Sequence, residues 1–134
     1  MSFQVIYFSR KGSTKKIADA IASELNIKAE DVRSAKITED FIFLGSGCYG
    51  GKPSESMEKF IQDNDFENKK IALFGTSGGG VGAEVNVMEA LLKKKNANIL
   101  GKYFCKGKFM FANRKKPNEE DIENAKQFAR KIIN

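Results

Sequence analysis

Three short stretches of glycine and hydroxyl residues carry most of the chemistry in this sequence. They are Ser9-Arg10-Lys11-Gly12-Ser13-Thr14, Gly45-Ser46-Gly47-Cys48-Tyr49-Gly50-Gly51-Lys52-Pro53 and Gly75-Thr76-Ser77-Gly78-Gly79-Gly80. The first follows the apolar run Gln4–Phe8. It precedes a segment whose apolar residues, Ile17, Ala18, Ile21, Ala22 and Leu25, fall on one face of a helix. The chemistry that this placement supplies is anion binding. Backbone N–H groups in the first turn of a helix lack intrahelical partners and sit at the positive end of its dipole. The hydroxyls of Ser9, Ser13 and Thr14 surround them, Gly12 permits close backbone approach and Lys11 adds a cation. The result is a phosphate cradle. The same residues also suit an ordinary strand-to-helix turn in which Ser13 or Thr14 caps the helix.

Other chemistries fail on residue type. With no histidine, Ser-His-Asp, Cys-His and His-ligated zinc mechanisms are excluded, and two cysteines, Cys48 and Cys105, cannot build a four-cysteine zinc site. Gly45-x-Gly47-x-x-Gly50 and Gly78-x-Gly80-x-x-Ala83 match the dinucleotide pattern in form. Neither opens the first strand–helix unit, and neither has an acidic residue at a strand end about twenty residues on. A Walker A loop is absent, because Gly51-Lys52 runs into Pro53. A phosphatase-type Cys-x₅-Arg is absent too, since the sixth residue after each cysteine is Ser54 or Phe111.

The elements that must position the three turns alternate in type. Phe41–Leu44 and Ile71–Phe74 are further continuous apolar runs, and Ile99-Leu100 with Tyr103-Phe104 predicts a strand bent near Gly101. Between them lie helical stripes: Met57, Phe60 and Ile61 after a start at Pro53, then Val81, Val85, Met88 and Leu92. A last helix opens with Asn118 as N-cap and Asp121 at N3, burying Ile122, Ala125, Phe128, Ala129 and Ile132. A short strand is expected around Lys28–Ser34, where Glu30, Asp31 and Arg33 blur the pattern. Continuous apolar strands alternating with amphipathic helices read as an α/β parallel sheet covered on both faces, with about five strands and four helices. The length of 134 residues fits one domain, 1–134. All three turns then follow strand C-termini and meet on one edge, where such sheets bind ligands.

Ser9-x-x-Gly12-x-Thr14 after the first strand resembles the phosphate-binding loop of the flavodoxins, Ser/Thr-x-Thr-Gly-x-Thr, with Lys11 in place of the middle threonine. The spacing of strand, loop and helix along the whole chain is similar to the short-chain members. The resemblance implies a three-layer α/β/α fold with sheet order 2-1-3-4-5 and a non-covalent FMN. Its phosphate would rest on Ser9, Lys11, Gly12, Ser13 and Thr14. Its ring would lie between Ser46, Gly47, Cys48, Tyr49 and Gly50 on one side and Thr76, Ser77, Gly78 and Gly79 on the other. Tyr49 is the only aromatic residue in the three loops and the candidate to stack on that ring, unless it packs on the surface with Cys48 as an apolar filler. In flavodoxins a peptide of the second loop turns so that its carbonyl meets the reduced flavin, stabilising the semiquinone; here the segment is Gly47, Cys48 and Gly50. The third loop offers backbone N–H groups for the pyrimidine edge but no second aromatic residue. The implied function is electron transfer between redox partners through FMN. A flavin face left open would instead suit an FMN-dependent reductase acting on a small substrate.

Charge bears on partners. The net charge of +6 is uneven: residues 1–67 carry −2 and residues 68–134 carry +8. The stretch Lys93–Lys116 has nine basic residues, no acidic one, and the aromatics Tyr103, Phe104, Phe109 and Phe111. Such a tract suits single-stranded nucleic acid. It equally suits cations closing a helix, with the aromatics on the buried face of the last strand. That second reading leaves acidic redox proteins as the expected partners. The start of the chain has no basic and apolar leader, and no apolar run approaches the roughly 18 residues of a membrane span. With two lone cysteines, the expected location is the cytoplasm.

Overall fold

The computed structural model describes residues 2–108 and 115–134. In chain order the elements are β1 (Phe3–Phe8), α1 (Ser13–Glu24), β2 (Ala29–Asp31), β3 (Phe41–Gly47), α2 (Glu55–Asp63), β4 (Lys70–Ser77), α3 (Ala83–Lys93), β5 (Asn98–Lys106) and α4 (Glu119–Ile133). All strand pairs are parallel and the sheet order is β2-β1-β3-β4-β5, as expected.

Alternation along the strands explains why their sequences read as unbroken apolar runs. Val5 and Tyr7, Phe41 and Phe43, and Ala72 and Phe74 face α1 and α4. Ile6, Ile42 and Leu44, and Ile71 and Leu73 face α2 and α3. A strand buried on both sides has no polar face to display. The helices answer with Ile17, Ala18 and Ile21 from α1, Ala125 and Ala129 from α4, Met57 and Ile61 from α2, and Val85, Met88 and Leu92 from α3, all fully buried. The N-terminus of α4 carries the capping box: Asn118 Oδ1 accepts from the Asp121 N–H at 3.0 Å, and Asp121 Oδ2 from the Asn118 N–H at 2.9 Å.

Three local expectations need correction. Val81 is 71% exposed and lies before the α3 N-cap, Gly82, so it is no part of the buried stripe. Helix α2 starts at Glu55 with Ser54 as its N-cap, whose hydroxyl accepts from the Met57 N–H at 3.1 Å; Pro53 lies just outside. The second strand is only Ala29–Asp31, because Arg33 folds back on Asp31 through three hydrogen bonds. Strand β5 is irregular near Gly101, as expected. Its register skips Leu100, pairing Ile71 with Ile99 and Ala72 with Gly101, so the irregularity is a bulge.

The bulge also sorts the aromatics of β5. Tyr103 turns inward against Phe128 of α4 and donates its hydroxyl to the Asp121 carbonyl at 3.0 Å. Phe104 turns the other way and is 40% exposed, its ring lying over Gly82. The expectation of a buried Phe104 fails because β5 is an edge strand of the described sheet and Phe104 lies over Gly82, which has no side chain to cover it. Phe109 and Phe111 lie outside the described residues.

Gly45, opposite Tyr7 of β1 and Phe74 of β4, leaves space for the Phe74 ring, which a Cβ at Gly45 would strike. Gly45→Ala should therefore cost about 1–3 kcal/mol in urea unfolding through overpacking. In a Phe74→Leu background the same change should cost less, and a cycle with no coupling between the two would contradict this packing.

Candidate functional site

The three turns do meet. Beyond the C-termini of β1, β3 and β4 they wall a cavity of ≈ 320 Å³, within the roughly 300–1,000 Å³ usual for small-molecule sites. Its lining includes Ser9, Lys11, Ser13, Thr14, Gly47, Cys48, Tyr49, Gly50, Thr76, Ser77 and Gly78. Of the expected residues, Gly12, Ser46 and Gly79 stand outside that wall. Arg10, Gly107 and Lys108, which the sequence did not single out, belong to it.

Helix α1 enters the cavity uncapped. Its N-cap is Gly12, left-handed at φ 96°, with no side-chain cap. Ser13 and Thr14 are therefore the first helical residues rather than caps, and their hydroxyls serve elsewhere. Thr14 Oγ1 meets Thr76 Oγ1 at 2.7 Å in a buried pair joining α1 to the end of β4. Ser13 Oγ accepts from the Lys108 N–H at 2.9 Å, drawing the chain after β5 over the helix start. That approach needs Gly107, because a Cβ there would press on Ser13 and Thr76. Ser9 Oγ accepts from the Gly12 N–H at 3.0 Å and so shapes the turn. Ser9 and Ser13 keep their own O–H groups to donate.

The second loop folds back on itself. Tyr49 and Lys52 bridge each other, N–H to carbonyl at 2.7 Å and 3.4 Å, across Gly50 and Gly51, which have φ of 65° and 80°. Positive φ at both central positions is the I′ pattern, and glycine meets it without strain. Ser46 lies beneath, fully buried, donating to the Gly47 carbonyl at 2.8 Å and accepting from the Ser54 N–H at 3.0 Å. Ser46 thus fastens the loop instead of facing the cavity. It also ties down the carbonyl of Gly47, one of the three residues expected to reorient.

Tyr49 lies over Gly47, where a Cβ would meet its ring and hydroxyl. The Tyr49 hydroxyl accepts from the Arg10 N–H at 3.2 Å, the Arg10 guanidinium sits 4.4 Å from the ring centroid, and Phe8 packs edge-on at 6.0 Å. Burial raises the Tyr49 pKa, so the ring stays neutral. In the third loop, Thr76 and Ser77 are still within β4, and Thr76 is paired with Gly47 and Cys105. Ser77 accepts from Gly80 N–H through its hydroxyl (2.8 Å) and from Gly107 N–H through its carbonyl (2.9 Å).

Behind this wall lies a group that sequence reasoning missed. Glu84, in the first turn of α3, has 0% exposure, and neither carboxyl oxygen has a hydrogen-bond partner among the described residues. It fits because Gly75 offers no Cβ, which would collide with the carboxyl. Burial pushes its pKa up to about 7, and its own backbone N–H offsets little of that. Cys48 feels the same surroundings: burial first, then the Glu84 charge, raise its thiol. No sequence signal marks Glu84, since an acidic residue in a first helical turn is ordinary.

A doubly wound sheet with an open helix N-terminus and glycine turns converging at its reversal point defines a nucleotide-cofactor domain of the mononucleotide type. Comparison with known proteins makes this specific. The flavodoxin-domain family model matches residues 4–116. An uncharacterized protein of Methanocaldococcus jannaschii is 38% identical over 135 residues, covering 90% of each chain. The flavodoxin-like domain-containing protein BilS of Clostridioides difficile is 33% identical over 81% of this chain and 67% of its own. Among solved structures, a flavodoxin from the domain Archaea superposes with a TM-score of 0.77 at 21% identity, covering 100% of both chains. The chain belongs to the flavodoxin family. With the family come FMN as cofactor and electron transfer as general function.

Glu84 sets a pH dependence of stability. Its folded pKa lies above the ordinary 4.5, so the folded state holds the proton more tightly. That contribution is whole below about 4.5 and is lost as pH rises through about 7. Relative to Glu84→Gln, the wild type should lose stability across this window by a few kcal/mol, at about 1.4 kcal/mol for each tenfold gain in proton affinity on folding. Parallel urea-unfolding series at several pH values would show the difference between the two proteins changing with pH; a constant offset would refute the assignment.

Proposed function

We propose that this protein carries electrons between redox proteins with FMN seated in the cavity at the carboxyl edge of the sheet. The observation that carries this is the uncapped N-terminus of α1 opening into that cavity beside Ser9, Lys11 and Ser13. Such a terminus offers several N–H donors and a positive dipole, the chemistry a dianionic phosphate requires. A second support is the empty space at Gly12, where an added Cβ would meet nothing. Ser9, Lys11, Gly12, Ser13 and Thr14 would hold the phosphate, with Arg10 and Lys108 adding charge. Tyr49 would provide the stacking surface, and Cys48, Gly50, Ser77, Gly78 and Gly79 would supply backbone around the ring.

Bound there, the cofactor supplies one- and two-electron chemistry, while the chain positions it and sets its electrostatics. The turn at Gly50 and Gly51 is closed by hydrogen bonds between Tyr49 and Lys52, and glycine at both central positions permits the peptide between them to reorient. Among the described residues, the cavity wall offers no carboxylate, and its thiol and phenol are both raised in pKa. This favours a carrier over a substrate-converting reductase.

Partners with acidic docking faces fit the charge. Lys11, Arg10 and Lys108 stand in the wall, and Lys52 and Lys106 are exposed beside it. The nucleic-acid reading gains no support from the described part of the basic tract: Lys93 and Lys102 pair with Glu89, Lys116 with Asp121, and Lys95 with the Gln62 carbonyl. Tyr103 is turned inward. No described helix is long and apolar enough to cross a membrane. Cys48 and Cys105 are both free thiols, which suits a reducing cytoplasm.

FMN-free protein should take up FMN near stoichiometrically with quenching of flavin fluorescence, and failure to bind it rejects the proposal. Tyr49→Ala should weaken that binding by about 1–3 kcal/mol, the scale of stacking on an aromatic side chain; unchanged affinity would remove Tyr49 from the site. Loaded protein should exchange electrons faster with an acidic small redox protein than with a basic one at low salt. That preference should shrink in the double variant Lys52→Glu/Lys106→Glu and at high salt, and a salt-independent rate would argue against acidic partners.

A further inference from the structure

Among the described residues, the Glu84 carboxyl makes no hydrogen bond to another group, and it does not line the cavity. Two buried carboxyl oxygens with no partner are costly to keep, and more so once the group is charged. The surroundings are built to admit the group: Gly75 of β4 makes the space, and the first turn of α3 places the carboxyl there. Cys48 connects it to the cofactor site, because this residue lines the cavity on one side and feels the Glu84 charge on the other.

We propose that Glu84 is a tuning residue of the electron-transfer site, a buried carboxyl behind the Cys48 loop that takes up a proton when negative charge arrives in the cavity. The inference rests on FMN occupying that cavity. The step balances simply. One electron enters the site from a redox partner, one proton from solvent joins the Glu84 carboxylate, and the O–H bond is the only bond formed on the protein. Coupling is reciprocal. An ionised Glu84 disfavours added negative charge, and added negative charge favours the protonated acid.

The groups facing Glu84 leave this coupling unopposed. From β4 the neighbour is Gly75, from the loop after β3 it is Cys48, and from β5 Cys105 feels its charge. Both thiols are raised in pKa and so stay neutral. No cation among the described residues contributes to the titration of Glu84, whose rise to about 7 comes from burial. A buried charge is poorly screened by salt. At the effective dielectric of a protein, two like charges repel appreciably without direct contact, and a factor of ~10 in an equilibrium needs only about 1.4 kcal/mol.

The test compares wild type with Glu84→Gln and Glu84→Met. The second variant is apolar and of similar length, so it removes the buried polar atoms instead of replacing them. For FMN-loaded protein equilibrated with a reference dye, the reduced-to-oxidised ratio should fall about tenfold more in wild type than in either variant as pH rises through about 7. An infrared difference spectrum on reduction should show a carboxylic acid signal gained in wild type and missing from both variants. Bound FMN with superimposable pH profiles in all three proteins would overturn the inference while leaving the cofactor reading intact. In FMN-free protein, the Glu84 carboxyl carbon should titrate by NMR near 7, and a midpoint near 4.5 would overturn it whether or not FMN binds.

Discussion

The site depends on a buried hydroxyl pair. Thr14 in the first turn of α1 and Thr76 near the end of β4 are 62 residues apart in the chain and 2.7 Å apart in space. One hydroxyl donates and the other accepts, so the contact satisfies two groups that burial would otherwise penalise. It also fixes where the helix begins relative to the sheet. A helix N-terminus binds an anion only if its N–H groups are accessible, and this pin fixes the start of α1, which has no side-chain cap, at the cavity wall. The Ser13–Lys108 and Ser77–Gly107 contacts then draw the chain after β5 to the same place. Three loops converge because each is tied to a neighbour, not because each is rigid alone.

Convergence of backbone at one edge leaves little room for side chains, and glycine is the recurring answer. Gly47 makes room for Tyr49, Gly107 for Ser13 and Thr76, and Gly75 for Glu84. At these positions glycine serves close approach, whereas at Gly12, Gly50 and Gly51 it serves positive φ. The two uses look the same in a sequence. They differ physically: a small side chain at the first group meets atoms, while at the second it meets only backbone strain.

The fold was legible because the physics behind it is local and repeated. Apolar runs at Val5–Phe8, Phe41–Leu44 and Ile71–Phe74 announce strands buried on both faces, and the Asn118–Asp121 box announces α4. The weak points were places where tertiary contacts outvote pattern. Val81 continues the helical spacing of α3, yet the left-handed Gly82 starts that helix after it. Phe104 continues the apolar tract of β5, yet the sheet ends there. For the site, hydroxyl and glycine loops could be read because their chemistry is carried by residue type. Arg10, Gly107 and Lys108 could not, since they reach the cavity through hydrogen bonds to Tyr49, Ser77 and Ser13. Ser46 was misplaced for the reverse reason, its hydroxyl being used inward to hold Gly47 and Ser54.

Charge at the site is arranged in two layers, and the contrast gives the structure its functional logic. Facing the cavity are the α1 dipole, Lys11, Arg10 and Lys108, all positive and partly in contact with water. Behind it is Glu84, dry and, among the described residues, without a hydrogen-bond partner. In the proposed function the outer layer would act on an approaching anion or acidic surface, but solvent screens it, so it would govern binding and encounter more than potential. The inner carboxyl is buried and does not line the cavity, and in the proposed coupling a change in its protonation would reach the cavity past the Cys48 loop. An electron carrier needs these two influences to be separable: one to seat its cofactor and greet its partner, the other to decide how readily the cofactor accepts charge. Placing the cations at the rim and the acid in the core separates them by solvent exposure alone.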